Sequence, residues 1–169
     1  MADFFASTLA PRRGAAAAQS DNPLSWSSLL APEAPRTPQG WTIPEAFIAI
    51  LFAAVTCDGE IATVEYEELL ALVHRSRALK TLSTEQLAGI NTKILTRLRE
   101  EETALADACA ALPQEMRLSV FAHALDLVLA DGELTIDEAD FLNALILELK
   151  IDHDGVSKVA EVMALKNRF

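Results

Sequence analysis

Two short acidic turns, each placed after an apolar helix, constrain this chain more than any other feature. Asp58-Gly59-Glu60-Ile61 recurs as Asp131-Gly132-Glu133-Leu134. Sliding the chain along itself until Asp58 falls on Asp131 also puts Glu65 on Glu138, Leu69 on Leu142, and Leu72-Val73 on Leu145-Ile146. Upstream, Ala49 falls on Ala122 and Val55 on Val128. Self-similarity at a fixed period is the mark of a duplicated supersecondary unit. Each copy reads as a buried helix, a tight acidic turn, then an amphipathic helix with an acidic first turn. Such a unit cannot bury its apolar face alone. Two copies therefore predict two helical hairpins around a shared core.

The remaining apolar spacing is also helical, and no alternating strand pattern interrupts it. A first helix is expected from about Pro44 to Cys57. Proline fits a first helical turn, where its missing N–H costs nothing. The stretch is apolar on nearly every side, which predicts a central, buried helix. A second is expected from about Thr63 to Arg77. Ser83-Thr84-Glu85-Gln86 reads as a capping box opening a helix to about Glu100, with continuation to Ala111 left open. Pro113 restarts a helix toward Ala130. Thr135-Ile136-Asp137-Glu138 is another capping box, opening a helix to about Leu149, and the last helix runs from Asp152 or His153 to about Lys166. With 169 residues, 51% of them hydrophobic, the chain has material for one domain with a real core.

Residues 1–40 differ in kind. They hold five of the seven prolines together with an alanine run. Their three acids and three bases cancel, so the whole net charge of −11 belongs to residues 41–169. A Pro/Ala/Ser segment of this composition cannot pack a core of its own. Phe4, Phe5, Trp26, Leu29 and Leu30 are large apolar groups in that setting. They are expected either to dock on a larger protein assembly or to fold back on the chain's own helices. The expected organisation is thus a Pro/Ala/Ser-rich tail over 1–40 and a helical domain over 41–169.

An apolar helix, then Cys or Ala followed by Asp-Gly-Glu and Ile or Leu, then an acidic helix start, given twice at this spacing, resembles the TerB-like (tellurite resistance protein TerB) family. The repeats cover residues 44–77 and 117–149, and the resemblance takes in about 41–167. It implies an all-α, TerB-like helical bundle of about six to seven helices, here preceded by an extended N-terminal tail. It also implies a link to metal-associated stress responses of the tellurite-resistance type. No His-Pro-Asp of the DnaJ kind is present, so the related membrane-anchored J-domain arrangement is not expected.

The acidic turns admit two readings. A calcium loop uses oxygen ligands at positions 1, 3 and 5, glycine at 6, an apolar residue at 8 and glutamate at 12. Aligning Gly132 with position 6 puts Asp131 at 5, Leu134 at 8 and Glu138 at 12. Aligning Gly59 there puts Asp58 at 5, Ile61 at 8 and Glu65 at 12. Positions 1 and 3 are Leu127 and Leu129 in one copy, Ala54 and Thr56 in the other. Neither turn is a standard calcium site. A divalent cation such as calcium or magnesium would need ligands pooled from both, among them Asp58, Glu60, Asp131 and Glu133, with Glu65 and Glu138 at the helix starts. In the other reading the turns are structural. Gly59 and Gly132 end helices in the left-handed conformation that glycine adopts freely. Glu65 and Glu138 then complete caps at positive helix ends.

Composition excludes several functions. An excess of 25 acids over 14 bases argues against nucleic acid, whose phosphates demand a basic face. Cys57 and Cys109 lie in no zinc-type cluster and are expected to be buried thiols. The longest apolar stretch, Ala46 to Cys57, is about half the ~20 residues that a spanning helix needs. Arg12-Arg13 precedes only Gly14 and alanines, too weak for an export signal, so the chain is expected in the cytoplasm, free or peripheral to a membrane-associated complex. His123 and Asp126 share a helix face, where a core pair is a better reading than catalysis. His74 and His153 read as helix-end residues. No phosphate loop or nucleophile elbow appears, and no enzymatic activity is expected.

Overall fold

A computed structural model describes residues 36–59, 69, 71–73, 83–130, 132 and 134–166, with backbone only for 84 and 86–88. Its described residues are helical and contain no strand. Helix α1 spans Ile43–Val55. It starts where Thr42 and Glu45 form a capping box. The Glu45 N–H donates to Thr42 Oγ1 at 3.3 Å, and the Thr42 N–H donates to Glu45 Oε2 at 2.9 Å. Such a cap contributes ~1 kcal/mol by satisfying amides that a helix start leaves open. Pro44 sits in the first turn, as its position in the sequence predicts.

The expectation of a central, buried α1 holds. Of its residues only Ala53 is not buried. Among the described helices it packs on α2 (Thr84–Glu100), α3 (Ala104–Ala111), α4 (Gln114–Val128) and α5 (Ile136–Leu149). Helix α6 (His153–Lys166) lies outside this group and packs mainly on α4. Phe47, Ile48, Ile50, Leu51 and Phe52 of α1 meet Ile94, Val120, Phe121, Leu145 and Leu149 in one core.

Residues 83–111 form two helices rather than one continuous rod. Helix α2 ends at Glu100 and α3 begins at Ala104. The break falls on Glu101-Glu102-Thr103. Acids are unfavourable at the negative C-terminal end of a helix and favourable before an N-terminus. Arg97 and Arg99 in the last turn of α2 offset the acids on one side. The bend lets α3 reach both α1 and α5.

The duplication is visible in the backbone. Gly59 has φ +84° and Gly132 has φ +85°. The Gly59 N–H donates to the Thr56 carbonyl at 3.1 Å, and the Gly132 N–H to the Leu129 carbonyl at 3.2 Å. The same bond thus closes both turns at the same register. Repeat-matched apolar residues are buried in both copies: Val55 with Val128, Leu69 with Leu142, Leu72 with Leu145. In the helix expected over 63–77, Leu69 and residues 71–73 are helical. The rest of that stretch, His74 included, lies outside the described residues.

The C-terminal half is tied together by its helix ends. Thr135 and Glu138 make the expected capping box at the start of α5. At its other end Lys150 takes a left-handed conformation, φ 53° and ψ 46°. This lets the Lys150 N–H reach Leu147 O at 3.1 Å and the Ile151 N–H reach Ile146 O at 3.3 Å. Arg117 donates from Nη1 to Leu149 O at 3.1 Å and from Nε to Leu112 O at 3.2 Å. A cation there complements the negative helix terminus. Asp152 Oδ1 accepts from the Gly155 N–H at 2.7 Å, so Asp152 caps α6, which begins at His153.

Candidate functional site

The first acidic turn grows directly out of α1. The Thr56 hydroxyl donates back to Phe52 O at 2.9 Å, and the Cys57 thiol to Ala54 O at 3.1 Å. These bonds satisfy carbonyls that the end of a helix leaves open. Gly59 then closes a turn on Thr56, with Asp58 at the turn's third position. An added Cβ on Gly59 or Gly132 would meet nothing within 4 Å. Glycine is required at these two points by backbone conformation, not by close packing.

After the second turn, the glutamate in the first turn of α5 is engaged. Glu138 is 4% exposed. Its Oε2 accepts from the Thr135 N–H at 2.7 Å and from the Thr135 hydroxyl at 2.9 Å. Of the acids named from the sequence as ion ligands, Asp58 and Glu138 are described; Glu60, Glu65, Asp131 and Glu133 lie outside the described residues. Among the described residues, no group of three or more His, Cys, Asp or Glu stands ready for a metal. The tail residues Phe4, Phe5, Trp26, Leu29 and Leu30 also lie outside.

A second polar cluster was not read from the sequence. Glu45 has a side chain only 7% exposed and pairs with Lys93 Nζ at 2.8 Å and Arg36 Nη1 at 3.1 Å. Burial alone would raise its carboxyl pKa. Lys93, the Thr42 N–H and Arg36 together outweigh burial and hold it below the usual value. Beside it, Trp41 is fully buried with the Arg97 guanidinium carbon 4.1 Å from its ring centre. The Trp41 indole N–H has no hydrogen-bond partner among the described residues. The sequence signal for this cluster was Thr42-x-x-Glu45 ahead of an apolar run. Nothing local announced Lys93 or Arg97.

The remaining titratable candidates are structural. Burial, reinforced by Glu148 and opposed by Arg117, pushes the Cys109 thiol up to about 12. It therefore stays protonated and unreactive. Cys57 is half-buried rather than buried, and neither cysteine is in a disulfide. Burial lowers the pKa of His123, while Asp126 opposes the shift in part. The His123 ring lies 5.8 Å from that of Phe47, and Asp126 pairs with Lys166. His123 and Asp126 are thus neighbours with separate partners rather than a closed pair.

With the two turns and their helices in place, the chain can be compared with known proteins. The family model described as tellurite resistance protein TerB matches residues 44–161. The chain belongs to the TerB family. The matched span begins in the first turn of α1 and ends within α6, so it takes in both acidic turns of this TerB-family chain and leaves residues 1–43 outside. Comparisons with curated proteins and with solved structures return no match. No helix among the described residues is long and apolar enough to cross a membrane.

Proposed function

We propose that this TerB-family chain is a non-enzymatic binding or scaffold module of the cytoplasm. Its acidic helical domain is the folded body, and the N-terminal segment with Phe4, Phe5, Trp26, Leu29 and Leu30 attaches it to a larger protein assembly. The observation that carries this choice is the state of Glu138. A calcium-type loop would spend that glutamate on the ion. Here its carboxylate already accepts two hydrogen bonds from Thr135. The left-handed glycines close the turns that follow α1 and α4. Deleting residues 1–35 from the full chain tests the reading. Partner capture from the native host is lost while the melting temperature of the helical domain is unchanged. Capture that survives the deletion refutes the tail's role.

The second reading keeps the family's link to metal stress. A divalent cation shared between the turns through Asp58, Glu60, Asp131 and Glu133, assisted by Glu65 and Glu138, would shift the two hairpins against each other. It is favoured by one observation: both turns close with the same backbone bond at the same register. Titration with calcium and with magnesium decides it. A rise in melting temperature that disappears in Asp58→Asn with Asp131→Asn supports the site. No rise at millimolar ion removes it.

A further inference from the structure

The chain just upstream of α1 is fastened to the helical domain by a small, asymmetric set of contacts. Residues 37–40 form a turn closed by the Gly40 N–H on Thr37 O at 2.8 Å, with Gly40 at φ +77°. The Thr37 N–H and hydroxyl both donate to the Trp41 carbonyl, at 2.7 and 2.9 Å. Arg97 Nη2 donates to Gln39 O at 2.9 Å. Arg36 donates to Gly40 O at 2.6 Å and reaches both oxygens of Glu45 at 3.1 and 3.3 Å.

The two ends of this segment are held very differently. Trp41 is fully buried, whereas the Arg36 side chain is 50% exposed. Glu45 does not depend on Arg36 for compensation. Lys93 and the Thr42 N–H, at 2.8 and 2.9 Å, remain on the carboxylate if Arg36 departs. A buried charge stripped of its only counter-ion is strongly destabilising. Glu45 escapes that fate because it has a second cation. Releasing Arg36 therefore breaks half-exposed contacts, which are weak and screened by salt, and leaves α1 capped; full opening also gives up the Thr37 bonds to Trp41 O and the Arg97 bond to Gln39 O.

We propose that residues 36–40 are a releasable latch: closed, they hold the start of the N-terminal segment against the edge of α1 and α2; open, they swing about Gly40 while the helices stay intact. The latch deepens the proposed tail function by giving it a controlled exit point, and its own existence does not depend on any partner. A protein that takes the N-terminal segment would have to accept the latched direction or displace Arg36 from Glu45.

Hydrogen exchange by NMR on the full chain, without a partner, tests this. In Arg36→Gln, the Thr37 and Gly40 amides exchange roughly three- to tenfold faster, and those of Ile48 to Leu51 are unchanged. Raising salt to about 1 M on the wild type does the same to the same amides. Unchanged exchange at Thr37 and Gly40 overturns the latch. Parallel acceleration in α1 also overturns it, because the segment would then be part of the core. A double-mutant cycle checks the redundancy at Glu45. Arg36→Gln and Lys93→Gln are each mild, and together they cost more than their sum. Simple additivity refutes the shared-cation argument. Failure here leaves the tail-deletion result untouched, and the reverse also holds.

Discussion

Replacing Gly132 with alanine should destabilise the domain, while the same replacement at Gly89 should stabilise it. Both glycines have open space where a Cβ would go, with nothing within 4 Å. Steric collision is thereby removed as a variable. What differs is the backbone. Gly132 sits at φ +85° in the turn, and Gly89 lies inside α2. An L-residue in the left-handed region costs roughly 1–2 kcal/mol. Alanine restricts the unfolded chain wherever it is placed, so that strain is offset only in part. Gly132→Ala is expected to lose about 1 kcal/mol. Gly89→Ala gains about 0.5–1 kcal/mol, because glycine is a poor helix residue. Urea unfolding followed by circular dichroism reads both, with the transition midpoint moving in opposite directions at constant slope. Gly132→Asn should fall between wild type and alanine, since asparagine tolerates the left-handed region better. Equal signs for the two alanine variants would refute the claim that conformation, and not space, requires glycine in the turn. Gly59→Ala should reproduce the Gly132 result, because its φ is +84° with equally open surroundings.

Three further outcomes follow from side chains and one helix end. The Glu45 carboxyl lies below its ordinary value of 4.5, so its contribution is fully present above that value and is lost as pH falls below it. In thermal melts from pH 6 to pH 3, wild type should lose more stability than Glu45→Gln, and matching pH profiles would contradict the assignment. In the native chain a disulfide reagent at pH 8 should modify Cys57 and spare Cys109, whose thiol titrates at about 12; rapid loss of both thiols would show that the core opens there. Lys150→Gly should raise stability by about 1 kcal/mol, since a non-glycine residue at φ 53° carries left-handed strain, and a drop in the denaturation midpoint would show that the lysine side chain compensates for it.

Much of the fold was legible because its signals are local. The capping box at Thr135–Glu138 and the restart at Pro113 each act within a few residues, and the structure places helix starts there; Gly132 closes the turn just beyond the end of α4 at Val128. The internal repeat was legible for the same reason, as a period in apolar positions. The split between α2 and α3 was left open by the sequence. Propensity favours helix throughout 83–111; the acids at Glu101-Glu102 allow a break, and after it α3 packs on both α1 and α5. The candidate ion ligands could be named by matching a known loop, but a match in spacing does not say whether a carboxylate is free. Glu138 is not free: Thr135 holds it.

The doubled Asp-Gly-Glu turn, the all-helical class and the central place of α1 were therefore determined by the sequence alone. They rest on backbone conformation and apolar periodicity, which act between near neighbours. The tertiary structure alone decided that Arg36 and Lys93 would share Glu45, that Arg97 would lie over Trp41, and that Arg117 would close the end of α5. Lys93 and Glu45 lie 48 residues apart in the chain. Long, flexible, charged side chains carry no periodic signature, and their partners are chosen only once packing has brought distant helix ends together.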